Sequence, residues 1–388
     1  MTESSRQHRI LKLFDWHEFN AEAENCRVMA KRLSLLGVDV TLMCSEREPA
    51  LTELKKWDGP TVVVPGLGSK KNPHAWRRAT EAIATEVRKR NIGIIHPYRS
   101  SVHALSVFAK RKSACVKLVR TRGTDDPPKK TVLNRYLYSR ATDMTVVSSK
   151  RAAERFVRFG LASENKLAVV YGGVDISPFS QTSDRSLWRH RLELPDDAAI
   201  VVMLARFAPV KGHECALSAF AGIAERFTNA RLVCVGVEWG DTLTKLEKHA
   251  ANLGVLDRVI FVPRWIDDVP ELLSVADVGL LSSVGSEGMS RACLEYMAAS
   301  LPVVATRVGV LPEVVVEGET GRLVKPHDVS AMTAALDEVL SDANRRVRWG
   351  RAGRSRVERC FTLEREARAV RSVYDRVSGC TTSGREVL

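Results

Sequence analysis

Short, almost wholly apolar runs alternate with longer amphipathic stretches along nearly all of the 388 residues. The runs read as strands at Ile10–Phe14, Val38–Cys44, Thr61–Val64, Ile92–His96, Val116–Arg120, Met144–Ser148 and Leu167–Val170. Between them the spacing predicts helices over Ala21–Leu36, Pro73–Lys89, Ser101–Lys110, Val132–Arg140 and Lys150–Phe159, with Gly37 as a helix stop. A strand that is apolar on both sides must be covered on both faces. An amphipathic helix between two such strands is the crossover that parallel pairing requires. The chain is therefore expected to be α/β, with parallel sheets between helical layers.

The alternation stops at Tyr171–Leu194, which carries Gly172, Gly173, Pro178, Ser180 and Ser183 and no sustained strand. It resumes at Ala199–Ala205, with later strands at Arg231–Val235, Val259–Val262, Val278–Ser282, Val303–Thr306 and Gly321–Val324. One hydrophobic core rarely serves more than about 250–300 residues. Two Rossmann-like α/β/α domains follow, residues 1–175 and 198–360, joined by a linker over 176–197. Their parallel sheets are expected to face a central cleft, and ligands of such sheets bind beyond the carboxyl ends of the strands.

The 59 Lys and Arg against 46 Asp and Glu give a formal charge of +13. That balance suits an anionic partner. No recognisable nucleic-acid module accompanies it, so no nucleic-acid partner is expected. No run approaches the ~20 apolar residues of a spanning helix, and the first residues lack the apolar core of a signal peptide. Cys26, Cys44, Cys115, Cys215, Cys234, Cys293, Cys360 and Cys380 are scattered without metal-ligand spacing, so reduced thiols and no zinc site are expected, as in a cytoplasmic protein.

The most specific text follows the run Val278–Ser282. Ser286-Glu287-Gly288-Met289-Ser290-Arg291-Ala292-Cys293-Leu294-Glu295-Tyr296-Met297-Ala298 places two carboxylates eight residues apart, a little over two helical turns. Gly288 and Ser290 open a helix whose free N–H groups suit an anion. Upstream, Arg206 ends a strand and Lys211 precedes the next helix, two cations suited to a diphosphate. Downstream come Ala299-Ser300-Leu301-Pro302-Val303-Val304-Ala305-Thr306-Arg307-Val308-Gly309, Leu311-Pro312-Glu313 and Gly318-Glu319-Thr320-Gly321.

The span Ala276–Leu340, with Arg206 and Lys211, resembles the donor domain of family-4-type retaining glycosyltransferases of the GT-B fold. The resemblance implies a metal-independent, retaining transfer of sugar from a nucleoside-diphosphate donor, with no cofactor. Arg206 and Lys211 would hold the diphosphate and stabilise it as leaving group. Glu287 would hold hydroxyls of the transferred sugar, and Glu295 the ribose. The N–H groups of Gly288, Met289 and Ser290 would cap sugar and phosphates, and Arg264 would stand near the base. The terminal helix, residues 363–378, would return to the first domain. No Asp-x-Asp triplet, the metal-holding signature of the other main fold of such enzymes, stands in these motifs.

The first domain resembles the family less. Asn20-Ala21 stands where the family carries Gly-Gly, and Gly123 where it often has His. Arg122 and Asp125 are candidates for the missing sugar contact, as is His96 at a strand end; His103 is a weaker one. Tyr171-Gly172-Gly173-Val174-Asp175 is a hinge-like turn resembling the family's Asn-Gly-Val-Asp. The basic segment Gly66–Arg78, with Trp76, could lie on an anionic membrane. The Arg-rich run Arg345–Arg359 reads as a solvated face. By analogy with the family, a glycan or lipid-linked acceptor in envelope polysaccharide or lipopolysaccharide synthesis is expected, at the inner membrane face. The alternative is a GT-B-like nucleotide-sugar-binding protein without catalysis. An epimerase is disfavoured by the paired glutamates and the Pro302-Val303-Val304 continuation.

Overall fold

The computed structural model describes residues 8–15, 21–48, 50–54, 56–69, 72–113, 115–180 and 185–379. Two compact units result: Met1–Tyr171 with Leu363–Leu388, and Gly172–Thr362.

In the first unit all strand pairs are parallel, in the order β3-β2-β1-β4-β5-β6-β7. The strands are β1 Arg9–Phe14, β2 Asp39–Cys44, β3 Thr61–Val63, β4 Ile94–Pro97, β5 Lys117–Arg122, β6 Met144–Val147 and β7 Leu167–Val169. Successive residues of β1 feed opposite cores, which is why Ile10, Leu11, Leu13 and Phe14 are all apolar, with buried Lys12 the exception. Ile10 and Phe14 pack with Met29 and Leu33 of helix Ala21–Leu35. Leu11 and Leu13 pack with Ile83 and Val87 of helix Pro73–Lys89. The terminal helix Leu363–Ser378 contributes Val370 and Tyr374 to the first of these cores. It is also pinned by polar contacts: Arg371 donates to the Leu36 carbonyl at 2.6 Å and Asn25 to Glu366 at 3.0 Å.

The stretch read as one helix over 132–140 is an α-helix, Val132–Tyr136, continued by a wider π turn, Leu137–Ala141. Its carbonyls have outside partners. Thr142 Oγ1 donates to Leu137 at 2.7 Å and Lys166 Nζ to Ser139 at 2.9 Å.

The second unit is a six-stranded parallel sheet in the order β10-β9-β8-β11-β12-β13. These are β8 Ile200–Leu204, β9 Arg231–Val235, β10 Val259–Val262, β11 Val278–Leu281, β12 Val303–Thr306 and β13 Gly321–Val324. Val201, Met203 and Leu232 pack with Leu217 and Phe220 of helix His213–Ala224 and Leu336 of helix Val329–Ser341. The expected linker, 176–197, is corrected: it belongs to this unit. Trp188, on helix Arg185–Arg191, is buried, and its indole donates to Asp268 at 3.1 Å. A single buried tryptophan turns a Gly/Pro/Ser-rich stretch into part of the domain.

Candidate active site

Strand order in the second sheet reverses between β8 and β11, and ligands of open α/β sheets bind at such a point. Here the two strands share only the pairs Val278–Val201 and Gly279–Val202 before they part. Beyond that, the Leu204 N–H is taken by the Tyr296 hydroxyl at 2.5 Å, instead of by a neighbouring strand. Tyr296 is fully buried and lies against β11, where Gly279 makes room: a Cβ there would stand 2.3 Å from the ring. The strand ends are thereby held apart, with their backbone groups still satisfied.

The loops after β8 and β11 are stitched together. Val284 N donates to Val210 O at 2.9 Å and Ser282 Oγ to Lys211 O at 3.1 Å. Gly212 sits at φ +70°, and a Cβ would meet the Ser282 carbonyl at 2.0 Å, so only glycine fits this crossing. Lys211 and Glu287, 76 residues apart in sequence, thus meet: Lys211 Nζ and Ser283 Oγ both donate to Glu287 Oε1. Glu287 is buried, whereas the Lys211 side chain keeps 21% of its surface. The backbone of Glu287 is fixed from the segment after β12, its carbonyl accepting from Val310 N at 2.9 Å. Thr306 Oγ1 donates to Ser283 O at 2.6 Å, closing the same cradle.

The helix predicted to open at Gly288 starts at Arg291 and runs to Ala298. Ser290 precedes it in the left-handed region at φ +44° and does not cap it; its hydroxyl is buried without a hydrogen-bond partner. The helix head, whose first-turn N–H groups have no partner within the helix itself, therefore lies next in sequence to an unpaired buried hydroxyl. Met289 packs against Gly172, where a Cβ would be 3.0 Å from its Cε. Glu295 is buried and accepts from Arg291 Nε at 2.9 Å. Both glutamates are thus built into the unit instead of lying on a solvated helix face.

Arg206 is exposed just past β8, with its guanidinium 4.9 Å from the Trp239 ring centroid. Arg264 is exposed past β10 and lines a surface recess with Arg191, Glu193 and Phe261, none of them in the predicted donor set. His213, the residue after Gly212, was not singled out from the sequence. It is buried against Phe207, ring centroids 5.1 Å apart, and neither nitrogen makes a hydrogen bond of good geometry. Burial first and the Lys211 charge second bring its pKa down to about 4, against a weaker pull from the Ala205 carbonyl. Among the described residues, no three His, Cys, Asp or Glu side chains gather where they could hold a metal ion.

The first-unit candidates are tied down. His96 is fully buried, with Nδ1 2.7 Å from the Tyr374 hydroxyl and Nε2 2.7 Å from the Thr121 hydroxyl. Both nitrogens are thus engaged by hydroxyls of the first unit itself. Burial, with Lys12 and Arg120 nearby, holds its pKa well below the usual value. His103 is likewise buried, on Thr142 at 2.8 Å. Arg122 donates to the Asp126 carbonyl at 2.7 Å. Asp125 is buried and accepts from Arg155 at 3.0 Å, so it anchors helix Lys150–Arg158 instead of standing ready for a ligand. Gly123 abuts Glu22, 2.9 Å from where its Cβ would be. Asn20 and the loop lysines Lys70 and Lys71 lie outside the described residues.

Two all-parallel units, with the motif residues gathered at the β8/β11 reversal of one, are the GT-B architecture. Sequence and fold comparisons agree. The family model "Glycosyl transferases group 1" matches residues 184–356, and "Glycosyltransferase Family 4" matches 26–178. The chain belongs to the group 1 glycosyltransferases. It is 32% identical over 281 residues to a D-inositol 3-phosphate glycosyltransferase of Streptomyces avermitilis, covering 70% of this chain and 59% of that one. It is 30% identical to spore coat protein SA of Bacillus subtilis over 229 residues, covering 55% and 60%. The chain spans about three fifths of the length of the curated relatives it matches. A glycosyltransferase of Rickettsia africae superposes with a TM-score of 0.85 at 20% identity, covering 95% and 98% of the two chains. HepE of Anabaena, solved with UDP and glucose, superposes at 0.82 with 18% identity, covering 95% and 99%.

Proposed function

We infer that this chain moves a sugar from a nucleoside-diphosphate donor to a glycan or lipid-linked acceptor, with retention and without a divalent metal. The observation that carries the reading is the Ser290 hydroxyl. It is buried and unpaired at the head of helix Arg291–Ala298, three residues after the Glu287 that pairs with Lys211. Buried polar groups are nearly always satisfied, and a donor's phosphate or sugar oxygens would satisfy this one. Breaking the anomeric C–O bond leaves negative charge on the diphosphate. Arg206, Lys211 and the helix N–H groups would stabilise it; one such preorganised donor is worth roughly 10²–10³ in rate. Glu287 would then hold sugar hydroxyls and Glu295 the ribose, with the N–H groups of Gly288 and Met289 at the phosphates and Arg264 toward the base. The test is metal-free calorimetric titration, in EDTA, with UDP, GDP, ADP and CMP on wild type, Glu295→Ala and Lys211→Ala. One nucleotide should bind, and both substitutions should weaken it. Absence of binding by all four would leave the inactive-binding-protein alternative, or a different ligand, in its place. Product anomeric configuration, read by NMR, tests retention.

An envelope acceptor draws support from a fold neighbour of this chain, the lipopolysaccharide outer core galactosyltransferase WaaB, which superposes on it at a TM-score of 0.71 with 16% identity. A surface of the first unit supports a membrane-facing reading too. Val132 is 89% exposed and Leu133 is next to it, while Arg111 lies over both the Phe108 and Tyr136 rings. Phe108 in turn meets Trp76 of the basic segment, ring centroids 4.8 Å apart. Exposed apolar side chains ringed by cations suit an anionic bilayer. No described helix is long and apolar enough to cross one. Co-sedimentation with phosphatidylglycerol vesicles, reduced by Val132→Ser with Leu133→Ser and absent with phosphatidylcholine, is the expected result.

A further inference from the structure

The two cations of the donor site are held in different ways. Lys211 faces a buried carboxylate. Arg206 makes no ion pair among the described residues; its guanidinium carbon instead lies 4.9 Å from the centroid of the Trp239 ring. The ring is 53% exposed, so burial of a core does not explain its place.

The backbone explains how it comes to be there. Ala205 N donates to Val235 O at 2.9 Å, and Phe207 N to Val237 O at 3.0 Å, so the segments leaving β8 and β9 run side by side past the sheet. Phe207 and Glu238 extend that pairing as an isolated bridge. Gly236 permits the approach, since a Cβ there would stand 2.1 Å from the Ala205 carbonyl. Trp239 then sits on an anchored turn, its carbonyl accepting from Thr242 Oγ1 at 2.7 Å at the start of helix Thr242–Asn252.

An aromatic face attracts a guanidinium through its quadrupole and takes none of its N–H donors. A carboxylate in the same place would cancel the charge and occupy the donor fork. We propose that Trp239 is a positioning residue, whose ring holds Arg206 ready for the donor's diphosphate while leaving its charge and all its N–H groups available. This rests on the donor-site reading above. Trp239 itself need touch neither sugar nor phosphate.

The experiment is titration of the full-length chain with the nucleoside diphosphate that wild type binds, by calorimetry. The matching nucleoside is followed by NMR. Wild type, Trp239→Ala, Trp239→Phe, Arg206→Ala and the Arg206→Ala/Trp239→Ala double variant are compared. A surface cation–π contact of its usual strength predicts diphosphate affinity weakened about two- to fivefold by Trp239→Ala. Trp239→Phe should recover most of the loss, nucleoside binding should not change, and Trp239→Ala should cost nothing further once Arg206 is gone. Wild-type affinity in Trp239→Ala overturns the proposal. So does an equal loss for the nucleoside, which would make the ring a base platform, or an undiminished loss in the Arg206→Ala background. If wild type binds no nucleoside diphosphate at all, the donor-site reading falls and this proposal with it. That outcome is distinct from one in which wild type binds and Trp239→Ala matches it.

Discussion

Replacing Lys211 by Met would leave the Glu287 carboxylate buried with only the Ser283 hydroxyl donating to it. Breaking a fully buried ion pair from one side costs about 3–5 kcal/mol, because the remaining charge has lost both water and partner. Lys211 keeps a fifth of its side chain in solvent, so some hydration reaches the pair and the cost falls to about 2–3 kcal/mol. For a unit the size of Gly172–Thr362, each kcal/mol lowers Tm by about 2–4 °C, which predicts a loss of about 4–12 °C. Differential scanning calorimetry of the full chain measures it. Adding Glu287→Gln should restore at least half of the loss, since the amide carries no charge and still accepts from Ser283. Glu287→Gln alone should cost less than about 1 kcal/mol, because the lysine it frees can turn to water. A Lys211→Met protein with wild-type Tm would refute the reasoning. So would a double variant no more stable than Lys211→Met, which would put the cost in lost packing of the lysine stem.

His213 makes the second unit acid-sensitive. Its pKa is depressed from 6.5 to about 4 in the fold, so the unfolded chain binds the extra proton. Stability is complete above pH 6.5 and is lost as pH falls toward 4, by up to about 3 kcal/mol. His213→Leu should flatten Tm against pH over that window, and parallel profiles for the two proteins would exclude the assignment. Tyr296→Phe strands the Leu204 N–H in the core and should cost about 1–3 kcal/mol by the same calorimetry, despite the loss of a single oxygen. Gly309→Ala puts a Cβ 1.9 Å from the Glu287 carbonyl at φ +56°, so the carboxylate must shift. Donor turnover should fall on the order of 10²-fold, as for ångström-scale misplacement of a reacting group. Near-wild-type turnover would show that Glu287 need not be placed so closely.

The strands were legible because parallel strands covered on both faces must be apolar throughout. Arg231–Val235, Val259–Val262, Val303–Thr306 and Gly321–Val324 fall where the runs predict them. The linker was misread because composition reports backbone freedom, whereas burial of Trp188 depends on a partner, Asp268, 80 residues away. Site residues divide along the same line. Arg206, Lys211, Glu287, Ser290 and Glu295 stand out as a motif, but what each one touches is set by non-local geometry. No spacing rule pairs Lys211 with Glu287 or Arg206 with Trp239, and none shows that Ser290, at the opening of its helix, takes a left-handed backbone and leaves the helix uncapped by its hydroxyl. His96 shows the converse: a strand-end histidine resembles a ligand residue until Tyr374, from the far end of the sequence, and Thr121 are seen to occupy it.

The Lys211–Glu287 contact also fixes the sign of one substitution that a contact inventory gets wrong. If Glu287 only held the sugar, removing its charge would leave binding of a sugar-free nucleoside diphosphate unaltered. But in the unliganded chain Glu287 competes for the same ammonium that the diphosphate needs. A diphosphate must displace that carboxylate, and it leaves a buried anion behind near its own charges. Glu287→Gln removes both penalties. Taking one charge-assisted hydrogen bond at a partly exposed site as about 1 kcal/mol, the variant should bind the nucleoside diphosphate about fivefold more tightly than wild type. It should at the same time transfer sugar more slowly. Calorimetry against the diphosphate and initial rates with the intact donor separate the two effects. Equal or weaker diphosphate binding by Glu287→Gln would mean that Lys211 does not exchange partners when the donor arrives, and that the ion pair is part of the scaffold.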